Sequence, residues 1–247
     1  QTMKQSIYTI ESNACVADKT WRMRLLGDTS GLERGGQFVD IAIAGRFLRR
    51  PIAATCWDAQ GFDIIYKVVG QGTDEMSSMQ PGTKLDILTG LGNGFDAGLT
   101  KDAALVVCGG VGASPAFSLV KELVRLGRKV TVVLGFNKES EIVLEDEYRT
   151  LGAHVIVATM DGSRGVKGLV TDAISLEKPE YDHFYTCGPK VMMKAVCEAL
   201  EGDGEASLEE RMGCGCGICY GCTCHTSKGP KRICADGPVF KKEEIIW

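Results

Sequence analysis

Up to about residue 100 the apolar positions come in short bursts. SIYTIESNACVA, TWRMRLLGD, GQFVDIAIAG, FDIIYKVVGQGT and TKLDILTGLG each alternate or run apolar briefly, with Gly, Asp and Pro between them. Short segments separated by turn residues predict a closed antiparallel barrel or sandwich, and no stretch of helical period interrupts them. The rhythm changes near Lys101. AALVVCGG is a continuous apolar run, as expected of a strand covered on both faces. AFSLVKELVRLGRK then sets Phe117, Val120, Leu123, Val124 and Leu126 at helical spacing and stops at Gly127. KVTVVLGF, HVIVATMD and YDHFYTC read as further strands; SEIVLEDEYRTLGA, KGLVTDAISLEK and KVMMKAVCEALEG read as helices. Strands alternating with helices of this length predict a parallel, doubly wound α/β sheet. From about Ala206 the periodicity ends and Cys and Gly dominate. Three units are therefore expected: a β barrel over 1–100, an α/β domain over 101–205, and a small C-terminal unit over 206–247. The last is too short for its own core and needs a staple.

Composition narrows the class. The chain has 247 residues, 44% hydrophobic and 24% charged, which suits a soluble globular protein. A net charge of −4 carries no basic footprint for nucleic acid. No apolar run is long enough to span a bilayer, and the opening QTMKQSIYTI lacks the pattern of a secretory signal. No nucleic-acid or membrane partner is expected, and the expected location is cytoplasmic. A disulfide framework is not expected there, so Cys15, Cys56 and Cys197 read as small buried hydrophobes.

The chemistry gathers at a few places. VVCGGVGASPAF is a strand, a glycine turn and a helix start. Gly109, Gly110 and Gly112 would let a ligand approach the backbone, with a pyrophosphate at the helix N-terminus, Ser114 as N-cap and Pro115 at the first helical position. The competing reading is a βα turn that needs glycine only for packing. YTCGPKVMM repeats the arrangement with Cys187, Gly188 and Pro189 at another strand end, the edge where open α/β sheets bind ligands. In the barrel, FLRRPIAA offers a guanidinium to a phosphate, against a plain solvated basic pair. YKVVGQGTD offers Gly70, Gly72 and Thr73 as an anion-holding turn. Arg164 and Lys167 in MDGSRGVKG could meet a 2′-phosphate, but two solvated surface charges are the favoured reading.

The tail is the most specific signal. Cys214, Cys219 and Cys222 follow C-x4-C-x2-C, with Cys234 beyond, which is the plant-type ferredoxin spacing for a [2Fe-2S] cluster. Zinc is the rival, although its sites usually pair ligands as two C-x2-C knuckles. Cys216 and Cys224 add thiols, so spacing alone does not make the ligand set unique, and C-x-x-C pairs also permit a redox dithiol.

Taken in order, RRPIAA, GQGT, LGNGF, CGGVGASP, CGPKVMM and LEERMGCGCGICYGCTC…CADGPVF resemble the dihydroorotate dehydrogenase B electron transfer subunits, within the ferredoxin–NADP reductase superfamily, over essentially the whole chain. The resemblance implies FAD on the barrel, NAD(H) on the α/β domain and a [2Fe-2S] cluster in the tail. It implies an FMN-containing catalytic partner that oxidises dihydroorotate to orotate in pyrimidine biosynthesis, in a heterotetramer of two of each subunit. Carried over by position, Arg50, Pro51, Ile52, Ala53, Tyr66, Lys67, Val68, Gly72 and Thr73 would face FAD. Gly109, Gly110, Gly112, Cys187, Gly188 and Pro189 would line the nicotinamide nucleotide. Cys214, Cys219, Cys222 and Cys234 would hold the cluster.

Hydride carries electrons in pairs and a cluster takes them singly, so the flavin stands between them; no catalytic protein residue is expected. Three departures stand out: Ala53 occupies a Ser position of the family, LTGLGNGF replaces a commoner Gly-Pro form, and Cys216 sits where many members are apolar. A related NAD(P)H–ferredoxin or sulfide-type reductase subunit, and more distantly a zinc-stapled binding module without redox function, are the alternatives.

Overall fold

The computed structural model describes residues 2–247; Gln1 lies outside the described residues. The alternating segments of the first hundred residues become β1 (Lys4–Ala17), β2 (Thr20–Leu26), β3 (Phe38–Ile41), β4 (Arg50–Trp57), β5 (Gly61–Lys67) and β6 (Lys84–Leu91). They close as an antiparallel barrel in the order β1-β2-β5-β4-β3-β6. Alternate side chains fill it, with Tyr8, Ile10, Met23, Leu25, Phe62 and Ile64 fully buried and Tyr8 edge-on to Phe62 at 5.3 Å.

One helix does interrupt the strands. The stretch read as an anion-holding turn is the start of α1 (Gln71–Ser77). Thr73 Oγ1 accepts the Val69 and Gly70 amides, and Met76 plugs the barrel core. A helix this short, with one buried large side chain, leaves too little period to read.

The α/β region contains β7 (Ala103–Gly109), α2 (Ala113–Arg125), β8 (Lys129–Phe136), α3 (Glu145–Thr150), β9 (His154–Thr159), β10 (Val166–Lys167), α4 (Val170–Glu177), β11 (His183–Cys187), α5 (Lys190–Ala199) and β12 (Gly204–Ser207). The parallel order is β10-β9-β8-β7-β11-β12. Along β7, Ala104, Val106 and Cys108 join the core with α2 and α3, while Leu105 and Val107 join the opposite core with α4 and α5. Both faces being covered is why the run is apolar without alternation. Two expectations shift at helix starts. α3 begins only at Glu145, after Val143 and Leu144 have turned into the core with Leu144 at φ 64°. Gly112, not Ser114, caps α2, so Pro115 is the third helical residue rather than the first, and the Ser114 hydroxyl bonds Thr55 Oγ1 at 2.7 Å instead.

The tail does not stand apart. A hairpin of β13 (Thr223–Thr226) and β14 (Gly229–Arg232) leads through α6 (Ile233–Asp236) to β15 (Val239–Lys241). β15 pairs antiparallel with β12 and becomes the seventh strand of the sheet. The barrel is tied to the α/β region by Lys138–Asp18 at 2.7 Å, Lys67–Glu141 at 3.5 Å and the Ser118 hydroxyl donating to the Thr55 carbonyl.

All eleven cysteines are free. Cys197 is buried as expected, but Cys15 is exposed near the end of β1 and Cys56 is half-buried beside Asp63. No helix among the described residues is long and apolar enough to cross a membrane.

Candidate functional site

A cavity of about 340 Å³ opens where the barrel meets the sheet. Strand β4 brings Pro51, Ile52 and Ala53 to it, β5 brings Tyr66 and Lys67, α1 brings Thr73, and the end of β11 brings Cys187. Met212 and Pro238 reach it from the tail. Val68, Arg50 and Gly72 stand beside this wall rather than in it. The Arg50 guanidinium lies against Gly72, where any side chain would collide with it, and donates to the Leu48 and Arg49 carbonyls. Arg49 is committed to Asp86 at 3.1 Å, so the two arginines are not equivalent: among the described residues Arg50 has no ion pair. Tyr66 donates to Asn13 Oδ1 at 3.0 Å, and burial pushes its hydroxyl up to about 12. Where Ala53 supplies no hydroxyl, the cavity has Ser114, carried in from α2.

A second cavity, of about 500 Å³, runs along the carboxyl ends of β7, β8 and β11. Gly109, Gly110, Gly112, Gly188 and Pro189 line it. Their geometry divides the glycines by cause. A Cβ on Gly109 would stand 2.5 Å from Met192 Sδ, one on Gly112 2.5 Å from the Cys187 carbonyl oxygen, and one on Gly188 2.8 Å from the Gly109 nitrogen. These three are glycines because the two turns pack on each other. Gly110 is different: it holds φ +55° and faces open space, so its backbone is accessible to a ligand. Packing and access are both at work in one turn. Cys187, expected beside the nucleotide glycines, lines the first cavity, and burial raises its thiol well above the ordinary range.

The two cavities share a wall made by Lys67, Val111 and Glu209. The Glu209 carboxyl is raised by the walls enclosing it. Glu209, Met212 and Pro238 lie within the quoted tail motif and Ser114 within the first glycine turn, but none of them was expected at a cavity; they arrive there through the tertiary return of the tail and the packing of α2 on the barrel. Arg164 and Lys167 line neither cavity, and Arg164 is bound to Glu145 at 3.0 Å.

The cysteine loop is built in pairs. Cys222 and Cys234, both buried, bring their sulfurs to 3.2 Å, and the Cys234 amide donates to Cys222 Sγ. Cys214 Sγ accepts the Ile218 and Cys219 amides at 3.3 and 3.4 Å, and Cys219 Sγ accepts the Gly221 amide. Burial raises the Cys214 thiol, but hydrogen bonds from the Cys219 and Cys216 amides and from the Cys219 thiol outweigh it and bring it to about 6. Arg232 fastens the loop: it donates to the Gly217 carbonyl at 2.8 Å, pairs with Asp236 at 3.0 Å and lies 5.1 Å over the Tyr220 ring.

Among the described residues no three potential ligands converge on a single ion. Two thiol pairs with amides aimed at their sulfurs instead suit a two-iron cluster, in which each iron takes two thiolates. Cys216 donates to Cys214 from outside the pairs, and Cys224 is half-buried beyond them.

Comparison with known proteins agrees with this layout. The family model for the iron–sulfur cluster binding domain of dihydroorotate dehydrogenase B matches residues 209–246, and that for the oxidoreductase NAD-binding domain matches 106–198. An iron–sulfur domain, not a zinc module, is what the tail matches. The structure resembles a solved NADH-dependent reduced ferredoxin–NADP oxidoreductase with a TM-score of 0.90 and 29% identity, over 98% of this chain and 90% of that one. A ferredoxin NADP+ reductase from Neisseria gonorrhoeae shares the fold at 16% identity and a TM-score of 0.69, over 79% of this chain and 90% of that one. The dihydroorotate dehydrogenase B (NAD(+)) electron transfer subunit of Geobacillus kaustophilus is 40% identical over 96% of this chain and 97% of the relative. That of Fusobacterium nucleatum is 40% identical over 98% of this chain and 99% of the relative. The chain belongs to the dihydroorotate dehydrogenase B electron transfer subunit family.

Proposed function

We propose that this chain passes electrons between NAD(H) and a catalytic partner flavoprotein through FAD and a [2Fe-2S] cluster, in the oxidation of dihydroorotate to orotate. The observation that carries this reading is contiguity. One wall of Lys67, Val111 and Glu209 separates the two cavities, and the tail closes the first with Met212 and Pro238 just before and after its cysteine loop.

The first cavity is assigned to the flavin. Pro51, Ile52, Ala53, Tyr66, Lys67 and Thr73 form its wall, and Arg50, Val68 and Gly72 flank it, with Arg50 as the cation for a phosphate. The second is assigned to NAD(H). Gly110, with its accessible backbone, and the positive end of α2 meet the pyrophosphate, and Gly109, Gly112, Gly188 and Pro189 hold that turn in place. Cys187 stands where the two assignments meet. The pairs Cys214/Cys219 and Cys222/Cys234 are assigned to the two irons. When bound, FAD supplies hydride exchange with the nicotinamide and one-electron exchange with the cluster. The protein holds these groups in sequence, keeps the cavity walls largely apolar and needs no acid or base of its own for the hydride step. The NAD(+) in the names of the relatives favours NAD(H) over a nucleotide with a 2′-phosphate.

Residues 1–100, 101–205 and 206–247 are taken as the FAD, NAD and cluster units, with β12 and β15 knitting the last two together. The partner is taken to be an FMN-containing dihydroorotate dehydrogenase subunit, two of each per assembly, in the cytoplasm. A second reading has one observation behind it: the 29%-identical oxidoreductase of nearly the same fold is named for ferredoxin and NADP, so the same layout can serve another partner. Anaerobic co-expression with the candidate catalytic subunit tests both. Dihydroorotate-dependent reduction of NAD+ by the purified complex supports the first reading. A complex that holds flavin, iron and sulfide but ignores dihydroorotate supports the second.

A further inference from the structure

Asp40 sits in the middle of β3 with 2% of its surface exposed, and its Oδ1 has no hydrogen-bond partner. An unpaired buried carboxylate oxygen costs stability, and such a group calls for an explanation. Its surroundings supply one. On one side lies the backbone of Gly215, the residue after Cys214: a Cβ there would stand 2.5 Å from Asp40 Oδ2, and Gly215 holds φ +66°. The loop therefore reaches the carboxylate through a residue with no side chain. Across the β3–β4 ladder Asp40 is paired with Pro51, which lines the first cavity.

The nearby cation does not neutralise it by contact. Arg49 donates to the Asp40 backbone carbonyl at 3.3 Å and to Asp86 at 3.0 and 3.1 Å, leaving the Asp40 carboxylate free. Asp40 and Cys214 nonetheless lie close enough to act on each other electrostatically.

We infer that Asp40 is a positioning residue for electron transfer: its charge, held between the flavin-cavity wall and the Cys214 turn, lowers the reduction potential of the cluster. This rests on the cluster assignment proposed above. Adding an electron beside a fixed negative charge is opposed by Coulomb repulsion, and the low dielectric of a buried site keeps that repulsion large. Charge and burial around a cluster are among the terms that set its potential. Gly215 is what lets the charge come close, since any side chain at that position would push β3 and the loop apart.

The test uses the full chain purified anaerobically with its cofactors. Cluster midpoint potential is read by redox titration with visible absorbance and electron paramagnetic resonance, and iron and sulfide are counted on the same samples. Asp40→Asn keeps shape and removes charge. Its expected effect is unchanged iron and sulfide with a tenfold shift of the electron-exchange equilibrium toward the reduced cluster, which is 59 mV upward for one electron. A midpoint equal to wild type at full iron content overturns the inference. Wild-type chain without iron would instead sink the cluster assignment, which is a separate failure. If Asp40→Asn cannot retain its cluster, Asp40→Glu keeps the charge at the same place, and its cluster must titrate at the wild-type potential. A raised potential at full iron content overturns the inference.

Discussion

Gly188 and Gly109 meet backbone to backbone, so that a Cβ on Gly188 would stand 2.8 Å from the Gly109 nitrogen. The neighbouring pair is tighter, with a Cβ on Gly112 only 2.5 Å from the Cys187 carbonyl oxygen. Gly112→Ala should therefore destabilise the fold by about 1–3 kcal/mol through overpacking, with the NADH KM rising in parallel. Gly110→Ala has open space around it and bears only a left-handed backbone, at a cost of about 1–2 kcal/mol. Its larger effect should be on nucleotide affinity, because the new methyl faces the ligand. Thermal melts and NADH binding on both variants separate the two causes.

The pairing of thiols predicts which cysteines matter. Cys219→Ser and Cys222→Ser should each lose iron, one from either pair. Cys216→Ser and Cys224→Ser should keep it. Iron, sulfide and the visible spectrum of the four variants decide the matter, and a Cys216 variant stripped of iron would show that the ligand set is wrong.

Arg232 acts on the cluster loop without touching a sulfur. It holds the Gly217 carbonyl and the Asp236 carboxylate, and its guanidinium covers Tyr220. Arg232→Gln should leave the overall fold intact and make iron leave roughly tenfold faster in a chelator challenge, the usual scale for groups that orient metal ligands. Iron release at the wild-type rate would mean that the loop holds itself.

Glu205 on β12 gives a pH dependence of known sign. Burial pushes its carboxyl up to about 7, although it accepts the Asp96 amide at 2.9 Å. The folded state then binds a proton that the unfolded chain has already released, so this group makes stability fall as pH rises from about 4.5 to about 7. Asp40 is shifted in the same direction, to about 6. Glu205→Gln should remove only the first contribution and flatten the slope of unfolding free energy across that window. Urea melts at pH 5 and pH 7 check it; an unchanged slope would show that Glu205 does not titrate on unfolding.

Much of this was legible in the residues because local pattern and tertiary role coincide. The alternation that predicts the barrel is the alternation of its filled interior. The uninterrupted apolar run of β7 is a strand with a core on each face, and the cysteine spacing reads as a cluster site before any fold is known. What escaped depends on long-range return of the chain. The segment GPVFKK carries no signal that Val239–Lys241 will extend the α/β sheet, since an edge strand this short is defined by its partner, Gly204–Ser207. Glu209 and Ser114 reach the cavities only once the tail and α2 are docked on the barrel. Cys15 looked apolar by context, but it lies near the end of β1, where Ala14 and Val16 are exposed as well and neither face of the strand is covered.

The most direct test of the central claim is anaerobic addition of NADH to the full chain holding its flavin and cluster, followed by visible absorbance and electron paramagnetic resonance. A continuous path predicts that NADH bleaches the flavin bands and then brings up the paramagnetic signal of a reduced [2Fe-2S] cluster within the same chain. A reduced flavin beside a cluster that stays oxidised even when its potential lies within reach of NADH, or a colourless protein carrying zinc, would contradict it.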